Sequence, residues 1–256
     1  MRLQLIRHAT LLLELAGRRL LIDPMLDPAG ARPPVGNTAN DRRNPLVDLP
    51  TTPEEVASEA DAVLVTHLHA DHLDDTAVRL LATTTPVLSQ PEDVARLRER
   101  GFTDVRPVHD ALEWRGVHVA RTPARHGTGE IGDAMAPASG FVLRAAGEPS
   151  VYVAGDTVWC DEVRATLDVQ RPDIVVVNAG GARFTEGDPI VMTADDVVAL
   201  TRHVPGAPVV AVHMDAINHC LETRDDLRAR LRAEGLEDRV SVPEDGDVAM
   251  LARTAP

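Results

Sequence analysis

The chain has 256 residues, 44% hydrophobic and 26% charged, with a formal net charge of −14 at pH 7. That is enough for one α/β domain spanning 1–256, with a core of Val, Leu, Ala and Ile because aromatics are only 2%. An acidic surface without a basic run or stacking platforms excludes nucleic acid as an expected partner, and no stretch approaches the roughly 18 apolar residues of a membrane span.

The opening Met1-Arg2-Leu3-Gln4-Leu5-Ile6-Arg7-His8 has charges inside its apolar segment and no small-residue cleavage site, which predicts a cytoplasmic protein without a signal peptide. Apolar runs at Leu3 to Ile6, Leu11 to Leu15 and Leu20 to Ile22 predict a meander of hairpins, ended by Asp23-Pro24. His8, ending the first run, reads as a structural residue in preference to a pocket-lining one. From Met25 to Pro53 periodicity is lost among prolines, glycines and asparagines, and a connection this long predicts a lid over a site. Its Arg42 and Arg43 would then form a local positive region for a small anionic substrate.

A short helix near Glu54 to Glu59 leads into Asp61 to Val65, a buried strand that delivers Thr66-His67-Leu68-His69-Ala70-Asp71-His72-Leu73-Asp74. Three imidazoles and a carboxylate in six positions make a metal site, because zinc and similar divalent ions prefer these donors. His67 and His69 share one side of an extended backbone, and a turn then presents Asp71 and His72. Asp74-Asp75-Thr76 starts a helix continued by Ala77, Leu80 and Leu81.

Pro91 to Arg100 predicts an amphipathic helix with Val94 and Leu97 inward, closed by Gly101. Strands at Val105 to Val108, Ala111 to Trp114 and Val117 to Thr122 follow, the last running towards His126. Gly127 to Gly132 lacks the spacing and following helix of a phosphate loop and reads as a flexible rim. Strands at Gly140 to Arg144 and Ser150 to Ala154 precede Gly155-Asp156-Thr157. Asp173 to Val177 ends in Asn178, which shapes a pocket wall or simply turns the chain. Thr193 to His203 is a helix, Pro208 to Val212 ends in His213, Leu221 to Gly235 is a last helix, and Val240 to Val242 with Val248 to Leu251 would close the sheet. Five strands thus end in His67, His126, Asp156, Asn178 and His213, and ligands gather at such carboxyl ends. His219 is a candidate to bind a substrate oxygen or protonate a leaving group. Asp23 suits a role orienting a metal-ligating His. His109, His118 and His203 have no partners by spacing, and Cys160 and Cys220 read as ordinary thiols.

With His67-x-His69-x-Asp71-His72 joined to His126, Gly155-Asp156-Thr157, His213 and the Asp23 that follows Leu21-Ile22, the chain resembles the metallo-β-lactamase superfamily of dinuclear metallohydrolases. The resemblance implies an α/β (α+β) fold, a four-layer αββα sandwich with the site along one edge. It also implies that His67, His69 and His126 hold one divalent ion, that Asp71, His72 and His213 hold a second, and that Asp156 bridges them. Zinc is the default and manganese or iron would satisfy the same residues. Two such ions share a water and supply hydroxide near neutral pH, with Asp71 and His219 as the catalytic candidates. Around His8-Ala9-Thr10 and Arg18 to Met25 the chain is more similar to the lactonase-like branch that includes the N-acylphosphatidylethanolamine phospholipase D enzymes. The bridging Asp156 where the best-known β-lactamases have Cys argues against antibiotic hydrolysis. The missing basic arm argues against tRNA processing, and His69 in place of Glu against the diiron oxygen-reducing branch. The implied function is dinuclear hydrolysis of an ester, lactone or phosphodiester bond in a small substrate. The alternative is a non-catalytic metal-binding scaffold or sensor.

Overall fold

Two seven-stranded sheets lie face to face in a computed structural model, which describes residues 1–135 and 137–250. The first begins as an antiparallel meander of β1 (Arg2–Arg7), β2 (Thr10–Leu15) and β3 (Arg18–Ile22), as the hairpin pattern predicts. It continues in parallel through β4 (Ala62–Val65), β5 (Val87–Ser89) and β6 (Val105–Pro107). In the second, β7 (Ala111–Trp114), β8 (Val117–Pro123) and β9 (Ser139–Ala145) are antiparallel. Strands β10 (Val151–Val153), β11 (Ile174–Asn178), β12 (Val209–Val212) and β13 (Val240–Ser241) run parallel to one another beside them.

In the central strands of each sheet alternate residues face opposite ways and both ways are apolar, which builds the three largest hydrophobic clusters among the described residues. Leu5, Leu13, Ile22 and Leu64 of the first sheet meet Val119, Phe141, Val153 and Val176 of the second in the central one. Leu21, Val63 and Val65 point outward against α1 (Pro53–Ser58), α2 (Asp75–Leu80) and α3 (Val94–Glu99) through Val56, Ala77 and Leu97. Val142, Val175 and Val177 do the same against α5 (Asp161–Gln170), α6 (Ala194–His203) and α7 (Arg224–Glu234). The layers are therefore helix, sheet, sheet, helix.

Several elements depart from the sequence reading. Gly127 to Gly132 is not a plain rim, because α4 (Gly129–Met135) forms there and its Ile131 and Met135, four apart, pack on Ile190 and Phe184. Helix α5 has no terminal glycine to announce it, since Arg171 takes the left-handed cap conformation at φ 43°. The Pro91 to Arg100 helix is a 3-10 turn at Pro91–Asp93 followed by α3. The last two strands do not close one sheet: β13 edges the second, whereas β14 (Val248–Met250) pairs antiparallel with β1 at the edge of the first. Leu251, expected to end that strand, lies outside the described residues. No described helix is long and apolar enough to cross a membrane.

Candidate metal centre

The chain arrives at one edge of the sandwich from both sheets. His8 follows β1, Asp23 follows β3, and Thr66-His67 follow β4; from the other sheet come His126 after β8, Asp156 after β10, Asn178 at the end of β11 and His213 after β12. Three of these residues are held in the left-handed region, His8 at φ 61°, Asp23 at φ 45° and His213 at φ 68°. Side chains other than glycine adopt it at a cost on the order of 1–3 kcal/mol, and such strain persists where surrounding structure over-determines it.

The donors at this edge, buried except for the half-buried His69 and Asp71, form two groups and a third, His67, His72 and Asp156, that overlaps both. In the first, His69 Nδ1 lies 2.9 Å from His67 Nε2 and 3.3 Å from His126 Nε2. In the second, Asp71 Oδ2 lies 3.6 Å from His213 Nε2, 3.9 Å from His72 Nε2 and 3.2 Å from His8 Nε2. Asp156 stands between them. Its Oδ2 is 3.4 Å from His126 Nε2 and 3.3 Å from His72 Nε2, while its Oδ1 is 3.4 Å from His213 Nε2. Donors bound to one tetrahedral ion at about 2.0–2.1 Å are spaced by about 3.4 Å, so these separations are those of ligand sets.

The chemistry of the donors also fits a cation. His72 Nε2 and His213 Nε2 are buried beside the Asp71 and Asp156 carboxylates at 3.3–3.9 Å yet make no hydrogen bond to them, and a buried polar atom left so costs about 1–3 kcal/mol unless something else meets it. Their other nitrogens are engaged: His72 Nδ1 is 2.9 Å from Asp23 Oδ2, and His213 Nδ1 is 3.5 Å from Cys220 Sγ. His126 Nδ1 is 2.8 Å from the Ile190 carbonyl. Each contact turns a bare nitrogen towards the centre, the arrangement that outer partners impose on metal-binding histidines. Asp23 in turn accepts from the Thr66 amide and hydroxyl, both at 2.8 Å. Asn178 Nδ2 donates to Asp156 Oδ1 at 2.6 Å, so it touches the site instead of merely turning the chain.

Charge within the site is divided in a way a cation would reverse. Burial pushes the Asp71 and Asp156 carboxyls up, but His72 and His213 outweigh it and hold both well below the usual carboxylate range. Burial pulls His72 and His213 down, but Asp156, with Asp23 for His72 and Cys220 for His213, carries His72 well above its usual range and His213 up to about 10. Protons thus concentrate on nitrogens that a metal would take over, and its binding would release them. Burial keeps His67 and His69 on the neutral side.

Above the centre is a cleft of about 240 Å³ lined by His69, Asp71, His126 and Asp156 on its floor. Arg32, Val35 and Asn44 of the 25–53 segment line it together with Met135, Phe184, Ile190, Ile217 and His219. The arginine facing the cleft is Arg32, already 3.0 Å from Asp27 Oδ2. Arg42 and Arg43 do not line it: both are exposed, and Arg43 folds back to donate to the Gly30 and Ala31 carbonyls. A positive region built by those two arginines is therefore not what the cleft presents. His219 is buried with Nδ1 unpartnered, and burial lowers it to about 4. His118 and His203, given no partners by spacing, pair at the surface with Glu113 and Asp168. The contacts of His8, Cys220 and the cleft walls were not legible, because each is made with a residue distant in the chain or carries no motif.

Residues 18–214 match the family model described as a beta-lactamase superfamily domain. The chain is 35% identical to the UPF0173 protein YddR of Bacillus subtilis, over 94% of this chain and 96% of that one. It is 29% identical to a UPF0173 metal-dependent hydrolase of Xanthobacter autotrophicus over 79% of each. Among solved structures it is similar to an isothiocyanate hydrolase from Delia radicum gut bacteria, with a TM-score of 0.93 and 36% identity, covering 98% of this chain and 99% of that one.

Proposed function

Because the chain belongs to the beta-lactamase superfamily, and within it to the UPF0173 metal-dependent hydrolases, we propose that it is a dinuclear hydrolase of small uncharged electrophiles of the isothiocyanate type. The observation that carries the reading is the pair of donor groups, His67, His69 and His126 beside Asp71, His72 and His213, joined through Asp156 beneath one narrow cleft. His67, His69 and His126 would hold one divalent ion and Asp71, His72 and His213 another, zinc by default, and these would lower the pKa of bound water towards neutrality and polarise the substrate.

The chain's own side chains supply orientation and selection. Asp23, the Ile190 carbonyl and Cys220 hold imidazoles at fixed angles, and Asn178 holds Asp156. Val35, Met135, Phe184, Ile190 and Ile217 exclude water and accept an apolar substituent. His219 presents an unpartnered nitrogen to the same space, where a neutral imidazole exchanges a hydrogen bond with a substrate heteroatom. Arg32 at the cleft has its charge offset by Asp27, which favours an uncharged substrate over a phosphodiester, while its buried Nη2 is left without a partner and can donate to a substrate heteroatom. The similarity to the isothiocyanate hydrolase supplies the chemical class. The reaction consumes one water: its oxygen becomes bonded to the isothiocyanate carbon, its two protons go to nitrogen, and cleavage of the C–N bond leaves an amine and carbonyl sulfide.

The test is elemental analysis of metal-replete protein together with turnover of alkyl and aryl isothiocyanates, followed by amine release. Close to two divalent ions per chain and chelator-sensitive amine release are expected, with Asp156→Asn abolishing turnover while the protein still folds. One ion per chain under replete conditions would remove the dinuclear reading. Metal-loaded protein that hydrolyses esters or lactones but no isothiocyanate would remove the substrate class, and protein inert to all would favour the scaffold.

A further inference from the structure

We propose that His8 is a positioning residue for the second metal position, donating from Nε2 to Asp71 and backing the His213 ring without ligating the ion. This rests on the reading of Asp71, His72 and His213 as one metal-binding set. His8 and His213 are fully buried at facing strand ends of the two sheets. The His213 amide donates to the His8 carbonyl at 2.9 Å, and the two rings lie 3.6 Å apart between centroids with a 36° tilt. Both residues are in the left-handed region, so backbone strain is accepted twice at the point where the rings meet.

Proximity alone would admit His8 as a fourth donor beside Asp71, His72 and His213. Its outer nitrogen separates the two roles. A histidine that ligates a metal nearly always engages its second nitrogen, as His72, His126 and His213 do here with Asp23, Ile190 and Cys220. His8 Nδ1 has no partner. Were His8 to ligate through Nε2, its proton would sit on Nδ1 as a buried, unmet N–H. In the other tautomer the proton is on Nε2, 3.2 Å from Asp71 Oδ2, and a carboxylate can only accept. What then goes unmet at Nδ1 is a lone pair, which interiors tolerate more readily than an unmet N–H. His8 also does not line the cleft, so it has no path to substrate.

The test is titration of metal-free protein with Co²⁺, reading stoichiometry, the two dissociation constants and the ligand-field absorption at saturation. His8→Asn carries its amide N–H only to about the reach of Nδ1, short of Asp71, while tolerating the left-handed backbone; His8→Gln carries an N–H to about the reach of Nε2. For His8→Asn we expect second-ion affinity to fall roughly 10- to 100-fold, with first-ion affinity and the saturated spectrum as in the parent, and for His8→Gln near-parent binding. Parent-like binding of both ions by His8→Asn would reduce His8 to packing and overturn the proposal. So would an altered saturated spectrum that His8→Gln does not restore, since His8 would then be a ligand. If His8→Asn fails to fold, a folded His8→Gln must still take up both ions as the parent does, and weakened uptake overturns the proposal. A parent that takes up one equivalent would instead remove the second position itself, and with it the proposal.

Discussion

A titratable side chain is shaped by what meets its far side, and this holds away from the metal centre too. Asp93 is buried and accepts from Gln90 Nε2 at 3.0 Å, yet burial dominates and raises its carboxyl to about 6. A carboxyl whose pKa is higher folded than unfolded keeps its proton longer in the native state. Between about pH 4 and 6 the native state therefore binds more protons, and stability falls as pH rises. Asp93→Asn retains an acceptor for Gln90 and removes that component. Urea unfolding across pH 4 to 7 should show the variant gaining on the parent as pH rises to about 6 and holding constant above it. A pH-independent difference would show that Asp93 does not titrate in this window. The same local logic explains Gly155 in front of Asp156: at φ 65°, a Cβ would stand 2.8 Å from the Ser139 carbonyl, so glycine alone fits the turn that aims Asp156.

At the scale of elements, the 25–53 segment is irregular yet tied down at both ends. Arg7, fully buried, donates to the carbonyls of Met25, Asp27 and Val47. Asn218 is the second tie: Nδ2 donates to Thr38 Oγ1 at 2.7 Å and to the Asn40 carbonyl at 3.0 Å, and Oδ1 accepts from the Val35 amide and Asn44 Nδ2. Val35 and Asn44 line the cleft, and so do Ile217 and His219 on either side of Asn218, so this one residue ties the loop to the cleft lining beside it. Asn218→Ala should therefore raise KM several-fold with kcat and metal content little changed, and cost about 2 kcal/mol or more of stability through unmet buried partners. Metal loss together with a fall in kcat would place the effect in the centre rather than the wall. None of this was legible beforehand, because a segment without periodicity reveals its length but not which side chains face inward.

Across the whole molecule, the donors are divided between the sheets. His67, His69, Asp71 and His72 follow β4, whereas His126, Asp156 and His213 follow strands of the other sheet, with the central core between. Ions that bind only the folded arrangement would tie the two edges together and stabilise it by mass action, about 4 kcal/mol for one site at a thousandfold excess over Kd. Chelation should lower Tm, and Tm should climb again with free divalent ion. A Tm independent of metal would show that the native state is not preferentially bound.

From sequence alone came what is local: the donor types, their spacing from His67 to His72, the strand ends bearing His126, Asp156 and His213, and helix starts such as Asp74 and Thr193. These follow from residue chemistry and short-range periodicity. Tertiary structure decided what depends on distant pairing. A short strand carries no mark of its partner, so β13 and β14, pairing with β12 and with β1, could be assigned to separate sheet edges only in three dimensions. His8 meets Asp71 across 63 positions, and Asn218 meets Asn44 across 174. Arg32, rather than Arg42 or Arg43, faces the cleft because the loop is held by Arg7 and Asn218, and contacts that remote leave no pattern in the residues that make them.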